Sequence, residues 1–344
     1  VGETRLGIPL LFGQDIIHGY RTVTPIPLGE AASWDLDAIE AAAALAAREA
    51  RAAGIHWTFA PMVDIARDPR WGRIAEGAGE DTFLACAVAR ARVRGFQGDD
   101  PSKPDRLAAC AKHFVAYGAA EGGRDYNCVD LSERRLREVY LPPFTAALDE
   151  GCLTVMCAFN DLNGDPCSGN RWLLDELLPG ELGFEGFVVS DAMSIREMID
   201  HGTCEDLVEA GGKAIRAGVD MDMGSGAYDR HLLELVESGA VPPEVVDESV
   251  RRILRIKFLL GLFENPYADP EREKQVVLAP ENRALAREVA RKSFVLLKNE
   301  RNVLPFEGKP SRIALLGPLA EDGRAALGCS AIAGDAADAV TLRP

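Results

Sequence analysis

GFVVSDAMSI, residues 186–195, runs an apolar stretch straight into the polar pair Ser190 and Asp191. Three apolar residues of strand character ending on a carboxylate read as a buried parallel strand that delivers one acid to its C-terminal end. In parallel α/β proteins that end is where the chemistry is kept. The competing reading is local: Asp191 as the N-cap of the next helix.

Working outward, the same pattern returns. Residues 8–15 (IPLLFGQD) and 54–64 (GIHWTFAPMVD) are apolar runs that also close on a carboxylate, Asp15 and Asp64. Residues 107–118 (LAACAKHFVAYG) form a third strand carrying Lys112 and His113 side by side, residues 154–164 a fourth, and residues 219–224 (VDMDMG) a sixth after the Asp191 strand. Adjacent strand residues face opposite ways, so Lys112 and His113 share a site only at a strand end or a bulge. Charged residues inside an apolar strand need buried partners, which favours a functional reading.

Helical stretches separate the strands: residues 35–53, stopped by Gly54, then 82–95, a segment from Ser132 through Pro142 and Pro143 to Gly151, 172–178, 206–217 and 242–262. Strands alternating with helices imply a parallel sheet with crossover helices. Repeated acids at strand ends favour a barrel over a doubly wound sheet, and no G-x-G-x-x-G or P-loop follows any strand. Residues 65–81 form a loop dense in Arg, Gly and Pro whose charges are expected largely to pair with one another. Residues 264–274 (ENPYADPEREK) read as a surface loop, residues 281–292 as a helix, and residues 313–320 (IALLGPLA) as a strand opening a new α/β unit.

The 344 residues, 47% of them hydrophobic, are enough for a large core. A net charge of −16 and a pI near 4.9 argue against nucleic acid or an anionic membrane as partner. No apolar run approaches the ~18–20 residues of a membrane span. The eight cysteines are scattered without a C-x-x-C pair; mostly buried free thiols are expected, with a disulfide left open.

Taken together, GIPLLFGQDIIHGYRTVTPIPLG, FAPMVDIARDPRWGRIAEGAGED, AKHFVAYGAAEGGRDYN, FNDLNGDPCSGN, GFVVSDAMSI, VARKSFVLLKN and IALLGPLA, in that order, resemble glycoside hydrolase family 3, most of all β-glucosidases of the bacterial periplasmic type. The resemblance implies a (β/α)8 TIM-type barrel over residues 1–298, N-terminally incomplete here. A linker at 299–312 and the beginning of a truncated C-terminal α/β sandwich domain at 313–344 would follow.

It implies a retaining hydrolase that removes terminal β-D-glucosyl residues from β-linked oligosaccharides or glucosides. Asp191 matches the family's nucleophile and Asp15 the carboxylate that grips sugar hydroxyls. Arg73, Lys112 and His113 match residues lining the subsite for the sugar being cleaved, and Met156 a position facing that subsite. An ionised Asp stabilises and then traps an oxocarbenium-like centre, and a neighbouring Lys112 is expected to keep its pKa low. No cofactor or metal is required. A homodimer stays open, and a periplasmic or secreted location follows from the resemblance alone.

Two departures stand out. Phe159 replaces a tyrosine that many members use to support the nucleophile, and the glutamate acid/base expected from the second domain has no counterpart here. The N-acetylglucosaminidase branch is disfavoured because FVAYGAAEGG after His113 lacks that branch's second His. A β-xylosidase, another β-glycosidase of the family, a non-hydrolysing sugar-binding fragment and an aldolase-like phosphate barrel remain the alternatives.

Overall fold

The computed structural model describes residues 1–308 and 312–342. Its parallel strands are short: β1 (Gly13–Gln14), β2 (Trp57–Thr58), β3 (Cys110–Phe114), β4 (Thr154–Cys157) and β5 (Phe187–Val189). They stand side by side in chain order. β1 pairs with β2, β3 with β4 and β4 with β5, all parallel. The β2–β3 seam is closed by Thr58 N–H to Ala108 O at 2.9 Å and Cys110 N–H to Ala60 O at 2.8 Å. The expected sixth strand is reduced to one parallel bridge, Met221 to Val189.

Helices fill the crossovers: α1 (Leu36–Ala52), α2 (Thr82–Gln97), α3 (Pro142–Asp149), α4 (Ser194–Asp200), α5 (Leu207–Ala217), α6 (Ala227–Glu237), α7 (Pro243–Leu259), α8 (Pro270–Val276) and α9 (Pro280–Lys292). Local chemistry bounds α1, whose stop at Gly54 was read from sequence. The Asp35 side chain accepts the Ala38 N–H at the start of α1, and Gly54 follows its end with φ +89°. α1 and α2 pack through small residues; a Cβ added to Gly95 would lie 2.5 Å from Glu40 O, so only glycine permits the approach.

The sheet divides the core into two faces. On the outer face Ala43, Ala46, Ala47, Ala85, Ala89, Val93 and Phe96 pack the first two helices onto the strands. On the inner face Trp57, Cys110, Met156, Phe187 and Val189 gather with Ile256, Leu260 and Leu262 from the end of α7 and beyond. The inner face is strongly concave. β2 and β5 are three strand steps apart, about 14 Å in a flat sheet, yet the Trp57 and Phe187 rings meet edge-on with centroids 5.2 Å apart. The parallel α/β organisation with helices in the crossovers is the one the alternation of strands and helices predicts.

Three local expectations fail. The charged stretch 264–274, read as a surface loop, contains the start of α8: Asp269 accepts the Glu271 N–H and Pro270 occupies the first turn, so a capped helix begins where proline suggested a loop. α4 and α6 were not foreseen. Residues 313–320 form no strand; residues 312–316 have no regular structure, and Pro318–Glu321 is a 3-10 turn. Ile313 and Leu316 are 74% and 89% exposed. An apolar run becomes a strand only when a neighbour completes its hydrogen bonds. Residues 309–311 of the expected linker lie outside the described residues.

Candidate active site

Because the strands are parallel, their C-terminal ends deliver Asp15, Asp64, Lys112, His113 and Asp191 to one end of the concave face. β3 slips register between Ala111 and Phe114. This irregularity is the bulge that adjacent Lys112 and His113 require if both are to serve one site. Lys112 Nζ reaches back across β2 to donate to Asp15 Oδ1 at 2.7 Å. The fully buried His113 ring stands between Asp64 and Asp191, with Nδ1 2.8 Å from Asp64 Oδ2 and Nε2 3.3 Å from Asp191 Oδ2.

Asp191 does not cap a helix. α4 begins three residues later on a left-handed Met193, without a side-chain cap. Asp191 Oδ1 instead accepts the Ala192 N–H at 2.6 Å, while Oδ2 is buried with no hydrogen-bond partner. Ser190 pins the strand end: its hydroxyl accepts the Met223 N–H at 2.8 Å and donates to Asp191 O at 3.0 Å.

The expectation that Lys112 depresses the Asp191 pKa holds only in sign. Burial is the larger effect and pushes the carboxyl up to about 6, against the opposing pull of Lys112, the Ala192 N–H and Arg73. Lys112 spends its closest contact on Asp15, and loss of water costs the Asp191 anion more than a more distant ammonium returns.

Arg73 arrives on the 3-10 turn Gly72–Glu76 of the charged loop. Glu76 holds its Nε at 2.9 Å and its Nη2 at 3.3 Å, and the guanidinium lies over the Tyr117 ring, 5.4 Å from the centroid. Nη2 also reaches His113 Nε2 at 2.9 Å. Elsewhere in this loop Arg70 pairs with Asp68, the internal pairing anticipated for such a charged segment.

An aromatic wall continues outward from the buried Trp71 and Tyr117 to Phe159 and then to the exposed Tyr126, whose ring meets Phe159 edge-on at 4.7 Å. Met156 lies on the inner face, 2% exposed, opposite Val189 in register. It is part of the packed cluster beneath the polar groups.

The site therefore brings together Asp15, Arg73, Lys112, His113 and Asp191. Sequence reasoning assigned no role to Asp64, Tyr117 or Tyr126, and to Glu76 only charge pairing within its loop, which Arg73 supplies. Asp64 did carry a signal, since it closes a strand in the same way as Asp15 and Asp191. Glu76 and Tyr117 sit on short 3-10 turns and Tyr126 in a turn, where nothing periodic marks a residue.

Residues 1–256 match the glycosyl hydrolase family 3 N terminal domain. The chain belongs to glycosyl hydrolase family 3. Within that family it is 45% identical over 344 residues to a periplasmic beta-glucosidase of Salmonella typhimurium, a match covering 98% of this chain and 45% of the relative. It is 37% identical to a putative beta-xylosidase of Formosa agariphila, covering 94% of this chain and 44% of that protein. The crystal structure of a Listeria innocua beta-glucosidase in complex with glucose superposes with a TM-score of 0.96 at 43% identity, over 99% of this chain and 47% of that one. The chain thus spans about half the length of the relatives it matches. The family resemblance read from the seven ordered motifs is borne out.

The eight cysteines are all free, and Cys110, Cys152, Cys157, Cys167 and Cys204 are buried, in line with the expected buried thiols. Among the described residues no helix is long and apolar enough to cross a membrane.

Proposed function

We propose that this chain carries the glycone site of a retaining exo-β-glycosidase that releases terminal β-D-glucosyl residues through a covalent glycosyl-aspartate. The observation that carries the reading is Asp191 Oδ2, a buried carboxylate oxygen with no donor, at a strand end beside His113 and Arg73. A carboxylate in that state is available to bond to an anomeric carbon. Above pH about 6 it is ionised, as attack requires.

In this reading the second Asp15 oxygen and the exposed side of the Lys112–Asp15 pair bind vicinal hydroxyls. Arg73 adds a fixed donor edge, and Met156 supports the floor of the subsite. Polar groups arranged in this way reject a sugar lacking the matching hydroxyl more strongly than an apolar pocket can. The curled sheet is read as part of a (β/α)8 barrel, with residues 1–298 as its catalytic unit, 299–312 as a linker and 313–344 as the beginning of a second α/β unit. β-Linked oligosaccharides or glucosides are the substrates and the periplasm or the exterior the location, both by analogy with the Salmonella relative.

Glucose is preferred to xylose because the glucosidase relative is the more similar of the two and the superposed Listeria enzyme is in complex with glucose. Intact-protein mass spectrometry tests the proposal after incubation with 2-deoxy-2-fluoro-β-glucosyl fluoride, whose leaving group needs no proton. One fluoroglucosyl adduct, mapped to Asp191, is the expected result. An adduct on another residue, or faster labelling by the xylosyl analogue, would sink the nucleophile or the glucose assignment respectively.

A further inference from the structure

The His113 ring has more neighbours than a neutral imidazole can serve. Asp64 Oδ2 accepts the His113 main-chain N–H at 2.9 Å and faces Nδ1 at 2.8 Å. Arg73 Nη2 lies 2.9 Å from Nε2, with Asp191 Oδ2 on the same nitrogen at 3.3 Å. A guanidinium only donates, so Nε2 supplies its single lone pair to Arg73 and bears no proton. The one ring proton then sits on Nδ1, aimed at Asp64. Burial and the Arg73 and Lys112 cations hold the ring neutral. Its plane is set independently by packing, since the Tyr117 ring meets it edge-on at 5.1 Å and Phe159 lies beyond.

Asp64 fixes the proton on Nδ1 from one side of the ring, while the Arg73 N–H claims the Nε2 lone pair from the other. In the opposite tautomer an Nε2–H would point at Asp191 Oδ2 and oppose the Arg73 N–H. The nucleophile would then accept a hydrogen bond that is strongest on the ground-state anion and weakens as its charge passes into the new bond, which raises the barrier.

We propose that Asp64 is a positioning residue for the nucleophile: by accepting the Nδ1 proton it locks His113 in the tautomer that withholds a hydrogen bond from Asp191 Oδ2. This inference rests on reading Asp191 as the nucleophile. Both hydrogen bonds of this buried acid fall on the one histidine, through the same oxygen, while its Oδ1 has no partner.

The test is long-range ¹H–¹⁵N NMR on protein labelled with ¹⁵N-histidine, with His113 assigned by its loss in His113→Gln. In the unmodified protein at pH 7 the neutral Nδ1–H form is expected. In Asp64→Ala an Nε2–H population is expected to emerge, and labelling by the fluoroglucosyl fluoride to slow by about tenfold to a hundredfold, the worth of one hydrogen bond to a charged group. Asp64→Asn, whose amide oxygen can accept both N–H groups, is expected to keep the Nδ1–H form and recover most of the rate. A plain structural role would leave the tautomer unmoved.

An Nε2–H ring in the unmodified protein overturns the proposal even if no variant folds. So does Asp64→Ala retaining Nδ1–H, or Asp64→Asn proving as slow as Asp64→Ala. Absence of any Asp191 adduct in the unmodified protein would instead defeat the functional reading, while the tautomer signal, which needs no turnover, still reports on Asp64.

Discussion

Glu49 and Asp191 are both buried carboxylates, and their surroundings treat them in opposite ways. Glu49, on α1, accepts bonds from the main chain of Arg21, Thr22 and Leu278, from the Thr22 hydroxyl and from the Asn282 amide, at 2.6–3.2 Å. It ties the loop after β1 and the segment before α9 to one helix. Asp191 accepts a single N–H, and its second oxygen, 3.3 Å from His113 Nε2, has no hydrogen-bond partner. A saturated carboxylate holds structure together. An undersaturated one keeps its lone pairs for a reaction partner, at a cost in stability that the rest of the fold offsets.

Removing each acid should break that comparison most sharply. Asp191→Ala is expected to lower hydrolysis of an activated aryl glucoside by about 10⁴-fold or more while glucose binding persists. Undiminished turnover would take the nucleophile role from Asp191. Glu49→Ala should do the reverse, costing about 3–5 kcal/mol in urea unfolding because several buried donors lose their acceptor together. A loss below about 1 kcal/mol would mean that water or neighbouring groups replace the carboxylate.

Smaller changes sharpen the contrast. Asp15→Ala leaves Lys112 without its partner and removes a sugar-binding oxygen. Glucose affinity is expected to fall by about tenfold to a hundredfold, readable by calorimetry. Unchanged affinity would confine Asp15 to holding Lys112.

The smallest effect concerns pH. The Asp191 pKa is raised from 3.8 to about 6 by burial, so the folded protein binds this proton more tightly than the unfolded chain does. The resulting stability is fully present below about pH 4 and is lost as pH rises through about 6. Asp191→Asn should therefore gain on the unmodified protein between pH 4 and pH 8, by about 1–2 kcal/mol. A melting-temperature difference that does not change over this range would show that Asp191 is not destabilised as an anion. The labelling rate of the unmodified protein should run the other way, falling as pH drops below about 6.

Much of the site was legible because each of its parts has a local signature. Apolar runs ending on Asp15, Asp64 and Asp191 announce buried strands with acids at one end, and a Lys-His pair inside the third run demands partners. The order of strands and helices implied a parallel sheet, and parallel strands expose the same end to one place. Lengths were less legible: β1 and β2 keep two ladder residues each where eight and eleven were expected. Sheet pairing is a property of two strands, and curvature limits how long a pair stays in register. The missed helix α8 and the unformed strand at 313–320 fail for related reasons, one decided by a single cap and the other by the presence of a neighbour.

The sequence by itself determined the α/β alternation, the family and the identities of the acids and bases that meet at the site, because period, capping and strand-end chemistry are written within a few residues of one another. Tertiary structure alone decided that Lys112 pairs with Asp15, that Asp191 keeps one oxygen bare and that Asp64 and Arg73 divide the two nitrogens of His113. Those outcomes depend on distances between side chains up to 97 residues apart in the chain, as Lys112 is from Asp15, and on loss of water, which no local stretch of residues encodes.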